Sequence, residues 1–262
     1  MNVETIISKS KTGTQKGQVL LIHGACMGAW CWADNFQPWF AEQGYDVYAI
    51  SLRNHGGSES IGNLRFKSIK EYVKDVSQVI SSLPGPVFLI GHSMGGFITQ
   101  HYLAEPDPKV RKAVLLCSAP VQGNPGIILR LLKDLTLPFL KANLEMSWKP
   151  LFKEKINTRK ITFSQDISEK KIENIISQMQ DESFLAFLEM TMLYLPNPGK
   201  IKTPLFIVGG EKDYLVPENA TRKMAYIYKT EALIVKGAPH NIMLETGWEE
   251  TAKKIDIFLT SN

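Results

Sequence analysis

Along the chain, short runs of apolar and β-branched residues alternate with stretches in which apolar positions recur every three or four residues. The runs Val19–His23, Val47–Ser51, Val87–Gly91, Ala113–Cys117, Leu205–Val208 and Ala232–Val235 predict strands, and a segment near Val3–Ser8 adds an antiparallel edge. The helical spacing predicts helices over Trp30–Gln43, Ile69–Ser82, Gly95–Ala104, Asn219–Tyr228 and Trp248–Leu259. Strand and helix in alternation predict the α/β class, a mostly parallel central sheet with helices on both faces.

The rhythm breaks between Pro120 and Pro204, where no strand pattern occurs. Ile128, Leu131, Leu132 and Leu135 lie at helical spacing, as do Ile172, Ile175, Ile176 and Met179, with Ser168 placed to cap the second stripe. A third helix is expected from Asp181, with Phe184, Leu188 and Met192 on one face. A single crossover between strands does not need about 80 residues. The expectation is therefore a helical cap, residues 120–203, inserted in a core formed by 1–119 and 204–262.

Composition narrows the classes. Of the 262 residues, 44% are hydrophobic and 21% charged, enough for a sizeable core and no mark of disorder. A net charge of +4 with scattered lysines gives no nucleic-acid footprint, and Lys153, Lys155, Arg159 and Lys160 read as a solvated face. Cys26, Cys31 and Cys117 are odd in number and lack metal-ligand spacing, which points to free thiols in a reducing compartment. Met1–Lys16 lacks a signal-peptide apolar run, and no stretch reaches the length of a membrane span. A cytoplasmic protein without metal or cofactor is expected.

The chemistry centres on Gly91-His92-Ser93-Met94-Gly95, a G-x-S-x-G pattern placed between a predicted strand and a predicted helix. Such a turn lifts a serine hydroxyl clear of the sheet, and a base must then take its proton. Of five histidines, His240 follows the late strand ending at Val235 and can hang over the same sheet edge as Ser93; His23, at a strand end, reads as structural. Asp213, after strand Leu205–Val208, is the candidate orienting acid, with Glu211 as its rival nearer the strand end. The developing oxyanion needs N–H donors, assigned to Met94, which follows the serine, and to Ala25 in the loop His23–Gly28. Cys26 and Met27 are expected to line the pocket, with Phe97 and Met94 on the core side and Leu131 and Leu135 on the cap side.

The chain resembles the α/β-hydrolase superfamily over nearly its whole length. The resemblance is carried by His-Gly-Ala-Cys at 23–26 with Trp30 and Trp32, by Arg53–Ser58, by Gly-His-Ser-Met-Gly at 91–95, by Gly-Glu-Lys-Asp at 210–213, and by Gly-Ala-Pro-His at 237–240. His23–Trp32 looks like the plant methylesterase and hydroxynitrile lyase branch, whereas Leu52–Ser58 looks like the bacterial esterase and lysophospholipase-like group. The resemblance implies Ser93 as nucleophile, His240 as base, Asp213 as acid, and Ala25 and Met94 as oxyanion donors. The expected function is hydrolysis of small-molecule carboxylic esters of apolar acyl groups through an acyl-enzyme. A thioesterase, a perhydrolase or a small-molecule receptor on the same scaffold are the alternatives. Serine at 93 excludes dehalogenases and epoxide hydrolases, which need a carboxylate there, and Asn241 after His240 argues against a hydroxynitrile lyase.

Overall fold

Each expected strand is present, with ends shifted by a few residues, in the computed structural model, which describes residues 1–13 and 15–261. In chain order the elements are β1 (Thr5–Ser8), β2 (Gly17–Ile22), α1 (Phe36–Glu42), β3 (Tyr45–Ile50), α2 (Ile69–Ser82), β4 (Val87–His92), α3 (Met94–Leu103) and β5 (Val110–Leu116). There follow α4 (Gly126–Asp134), α5 (Thr136–Glu145), α6 (Lys149–Phe152), α7 (Lys155–Thr162), α8 (Glu169–Gln178) and α9 (Phe184–Leu188). The chain closes with β6 (Leu205–Gly210), α10 (Glu218–Tyr228), β7 (Ala232–Val235) and α11 (Trp248–Thr260). The strands form one seven-stranded sheet in the order β1-β3-β2-β4-β5-β6-β7. Among the described residues only β1 runs antiparallel, paired with β3 at the edge.

Local chemistry explains where the helices begin. Ser68 and Glu71 form a reciprocal capping box, so α2 starts at the residue the apolar spacing marks. The expected helix Trp30–Gln43 is instead divided into a short 3-10 turn, Ala29–Trp32, and α1. Pro38 has no N–H to give and is tolerated only in a first turn, which fixes the start of α1 just before it. Pro138 acts in the same way, and the apolar stripe that includes Leu135 breaks there into α4 and α5.

The register places the functional loops. Ile22 of β2 is opposite Gly91 of β4, Leu116 of β5 opposite Val208 of β6, and Gly210 of β6 opposite Val235 of β7. The loops after β2, β4, β6 and β7 therefore leave the sheet along one carboxyl edge, where open α/β sheets carry their ligands. Two large apolar clusters cover the two faces of the sheet, one around Ile69, Tyr72 and Phe97, the other around Trp32, Phe36 and Phe40.

Between β5 and β6 the described residues are helices and loops, as the sequence suggests, with their own cluster of Ile127, Leu131, Leu135, Phe139, Trp148, Leu151 and Ile161. Two details differ from expectation. The buried stripe of α4 is Ile127 and Leu131, while Leu132 is 37% exposed. The helix expected from Asp181 starts at Phe184, capped by the Ser183 hydroxyl, and widens into a π turn at Glu189–Leu193, which leaves Met192 exposed. Of the basic cluster, Lys155 pairs with Glu173 at 2.6 Å, Lys160 with Asp134 at 3.5 Å, and Arg159 with Glu169, while Lys153 has no such partner among the described residues. All three cysteines are buried and unpaired. Among the described residues, no helix is long and apolar enough to cross a membrane.

Candidate active site

Ser93 stands between β4 and α3 with φ +50° and ψ −115°, a left-handed conformation that is strained for a side-chain-bearing residue. Hydrogen bonds hold the turn: the Ser93 N–H donates to Leu116 O at 3.0 Å, and its carbonyl accepts from Phe97 and Ala119 N–H. Gly95 is required because a Cβ there would come within 2.3 Å of the Ile22 carbonyl, so α3 packs directly on β2. The turn thus stores strain at a half-buried hydroxyl, as functional serines at such bends do.

Asp213 and His240 meet at the same edge. The His240 Nδ1–H donates to Asp213 Oδ2 at 2.8 Å, with both side chains buried. The other Asp213 oxygen accepts the N–H groups of Leu215 and Val216 at 2.9 and 2.8 Å. The loop thereby fixes the carboxylate, and the carboxylate fixes the imidazole. Nε2 of His240 has no protein partner among the described residues. Glu211, the sequence rival, is exposed and accepts the Gly237 N–H at 2.8 Å, so it shapes the turn leading toward His240.

The loop after β2 packs against the serine. A Cβ on Gly24 would lie 3.0 Å from Ser93 Cβ and 2.6 Å from His92 Nδ1, so this backbone comes as close as it can. Ala25 follows, beside the cavity. Met94 opens α3, and the first N–H groups of a helix have no partner within it. Both backbone donors assigned from sequence therefore flank Ser93.

Four groups outside the sequence assignment hold this arrangement. His92 donates from Nε2 to the His240 carbonyl at 3.1 Å, and burial, with His240 beside it, pushes its pKa well below the ordinary value. Cys117, at the end of β5, has its sulfur within 4.8 Å of the donor atoms of Asp213 and His240. Burial and the Asp213 charge push its thiol up, and Asp213 and His240 are already bonded to each other, so this trio is a backing for the imidazole more than a metal nest. His55 and Glu182 form a fully buried pair at 3.1 Å. Burial would raise the Glu182 pKa, but the His55 charge and the hydrogen bonds hold it below the usual value. Burial likewise opposes a charge on His55, and Glu182 raises it above the ordinary histidine value. Glu182 also accepts from the Tyr72 hydroxyl at 2.8 Å and from the Cys26 N–H at 3.2 Å. It ties the segment before α9 to the loop after β2. The sequence gives no periodic signal for such a tie, since Glu182 sits between helices.

A cavity of about 110 Å³ lies over Ser93. Its lining is largely apolar, with Ile127, Leu131, Trp148, Leu151, Phe187 and Met190 from the helical segment facing Ala25, Cys26 and Ser93. Of the side chains assigned to the pocket from sequence, Cys26 and Leu131 line it. Met27, Phe97 and Leu135 do not. Met27 packs under the sheet with Trp32 and Phe36, Phe97 turns inward from α3 into the cluster on the other face, and Leu135 packs within the helical segment. Met94 does not line the cavity either, its side chain being fully buried in the core.

Comparison with known proteins follows the same lines. The family described as serine aminopeptidase, S33 (Hydrolase_4), matches residues 13–247. Methylesterase 3 of Arabidopsis thaliana is 36% identical over 84 residues, 31% of this chain and 32% of its own. Norfluorocurarine synthase 1 of Strychnos is 28% identical over 151 residues, 56% of this chain and 51% of its own. The chain thus spans about a third to a half of the length of these curated relatives. An esterase of Exiguobacterium antarcticum superposes with a TM-score of 0.76 at 18% identity, covering 99% of this chain and 96% of the other. A monoacylglycerol lipase of Paleococcus ferrophilus gives 0.74 at 19% identity, covering 99% and 98%. At such identities the structures share the fold alone.

Proposed function

Because the chain belongs to the serine aminopeptidase (S33) hydrolase family, we propose that it is a serine hydrolase cleaving small carboxylic esters of apolar acyl groups. Ser93 is the nucleophile, His240 the general base and acid, and Asp213 the orienting carboxylate. Residues 120–203 act as the cap that closes the acyl cavity. The observation that carries the reading is the strained Ser93 turn beneath an apolar cavity, at the sheet edge where the His240–Asp213 pair stands. The methylesterase names of several relatives support the same bond type.

In the first half-reaction Ser93 Oγ attacks the ester carbonyl carbon while His240 Nε2 takes the hydroxyl proton. The tetrahedral oxyanion accepts the Ala25 and Met94 N–H groups, the latter at the positive end of α3. Collapse breaks the C–O bond, and the alcohol leaves with the proton from Nε2. Water then attacks the acyl-enzyme, gives its proton to Nε2, and the carboxylic acid departs as Ser93 recovers its proton. Asp213 stays ionised throughout, holding the tautomer and stabilising the imidazolium.

The family description names an aminopeptidase, and capture of a substrate ammonium would call for an open carboxylate. Glu182 is the carboxylate at the cavity, and its oxygens are already engaged by His55, Tyr72, Cys26 and Ser183. An uncharged ester fits better. A cavity of about 110 Å³ is smaller than the ~150 Å³ site that holds benzene, which points to short acyl groups. The test is a series of aryl esters from acetate to palmitate, with matched thioesters, on the purified chain. Activity peaking at short uncharged acyl groups is expected. A preference for palmitate, or for an aminoacyl amide over every ester, would overturn the assignment.

A further inference from the structure

α4 and α5 expose large apolar side chains where a solvated surface would be polar. On α5, Leu137, Leu140 and Leu144 are 79%, 53% and 87% exposed, and their spacing puts them on one side of the helix. Leu129 of α4 is also 71% exposed. These side chains are not needed for the cavity, which Ile127 and Leu131 line from the opposite face of α4.

Charge distinguishes the possible covers of this patch. Residues 126–162 hold eight Lys or Arg against three Asp or Glu, whereas the whole chain has 30 against 26. The segment that bears the exposed leucines is thus net +5, while the rest of the chain is close to neutral. Lys141, Lys149 and Lys153 surround one open depression beside α5, with Glu145 as the carboxylate among its lining residues. Among the described residues, Lys133, Lys149 and Lys153 have no carboxylate within ion-pairing distance. A second copy of this face would bring like charges together. A surface that is apolar below and anionic above would satisfy both the leucines and the lysines, whose long stems let the ammonium groups stay at the headgroups. We propose that the α4–α5 segment docks on an anionic lipid surface, with the α5 leucines inserted among the acyl chains and Lys141, Lys149 and Lys153 at the phosphates.

The test measures binding, which is independent of turnover. The purified full chain is sedimented with vesicles of phosphatidylcholine alone and of phosphatidylcholine with about 30% phosphatidylglycerol. Two variants are compared with it, Leu137→Gln/Leu144→Gln and Lys149→Gln/Lys153→Gln; all four positions lie outside the catalytic groups. Partition onto the anionic vesicles is expected, weakened by about 0.5 M salt and far smaller on the neutral vesicles. The leucine variant should lower it at least about tenfold, and the lysine variant should remove the anionic preference. Both should hydrolyse a soluble acetate ester at the parent rate. Failure to bind anionic vesicles, or binding that neither variant weakens, would overturn the proposal. So would a dimer in sedimentation velocity that the leucine variant dissolves, which would assign the stripe to a second copy.

Discussion

Asp213 and Glu211 stand two residues apart in the loop after β6, and only the course of the backbone decides which of them meets the imidazole. Residue type and distance from a strand end cannot make that choice from sequence, whereas Ser93 and His240 are marked by their neighbours on either side. In the structure Asp213 reaches His240 Nδ1 at 2.8 Å, and Glu211 is spent on the Gly237 N–H. Asp213→Asn should therefore lower kcat by about 10³–10⁴, and Glu211→Gln by less than about tenfold, since it loosens a turn and leaves the tautomer intact. Steady-state rates on an acetate ester check this, and the reverse ranking would move the acid role to Glu211. The same scale shows where side-chain orientation escaped the sequence. Met27 and Phe97 lie next to the right backbone, but each enters the core, because apolar side chains at the start of α3 and after β2 have a sheet face to cover.

At the scale of elements, the strands and α2 were legible because one period dominates each of them. The segment between β5 and β6 was legible only as helical. Prolines at 138 and 150 cut it into short pieces, and α5, α6 and α7 have no single apolar stripe long enough to announce them. The division has a consequence for specificity. Leu131 lines the cavity and Leu135 packs behind it. Leu131→Ser should lower kcat/KM for a butyrate ester more than for an acetate ester, whereas Leu135→Ser should lower the melting temperature and leave their ratio near the parent value. The opposite pattern would mean that the cavity is lined from α5. Glu182 links this segment to the core through His55, Tyr72 and the Cys26 N–H. Removing one partner of a buried ion pair costs about 3–5 kcal/mol. Glu182→Gln should thus lower the denaturant midpoint by about that amount of stability, because His55 keeps its burial and loses its counter-charge. An unchanged midpoint would show that the four-donor site around Glu182 is not a structural tie.

At the scale of the whole molecule, the α/β class and the sheet edge shared by Ser93 and His240 were legible, because strand spacing and the flanks of these residues agree with one topology. The pairing between distant loops was not, since no local pattern encodes it. Buried His23 and half-buried His101 predict how the assembled fold responds to pH. Burial, with His55 beside it, lowers the His23 pKa to about 3, and burial lowers that of His101 to about 4, from an ordinary 6.5. As pH falls below 6.5, the unfolded chain takes up protons that these folded rings refuse. Each ring then costs about 1.4 kcal/mol per pH unit. The lowered Glu182 adds a loss of the same sign below its ordinary 4.5, while His55, being raised, favours the folded state below 6.5 and loses that contribution as pH rises through its folded value. Urea midpoints should fall steeply from pH 6 to pH 4, and more gently in His101→Gln; a flat profile would contradict the lowered pKa values of His23 and His101. The central claim is the covalent step at Ser93, and the most direct measurement is to quench the protein during turnover of an aryl acetate and locate the acyl group by peptide mass spectrometry. One acetyl group on the peptide bearing Ser93, accumulated in Asp213→Asn and absent with loss of turnover in a folded Ser93→Ala, is the predicted result. Acetylation elsewhere, or near-parent turnover in Ser93→Ala, would contradict the account.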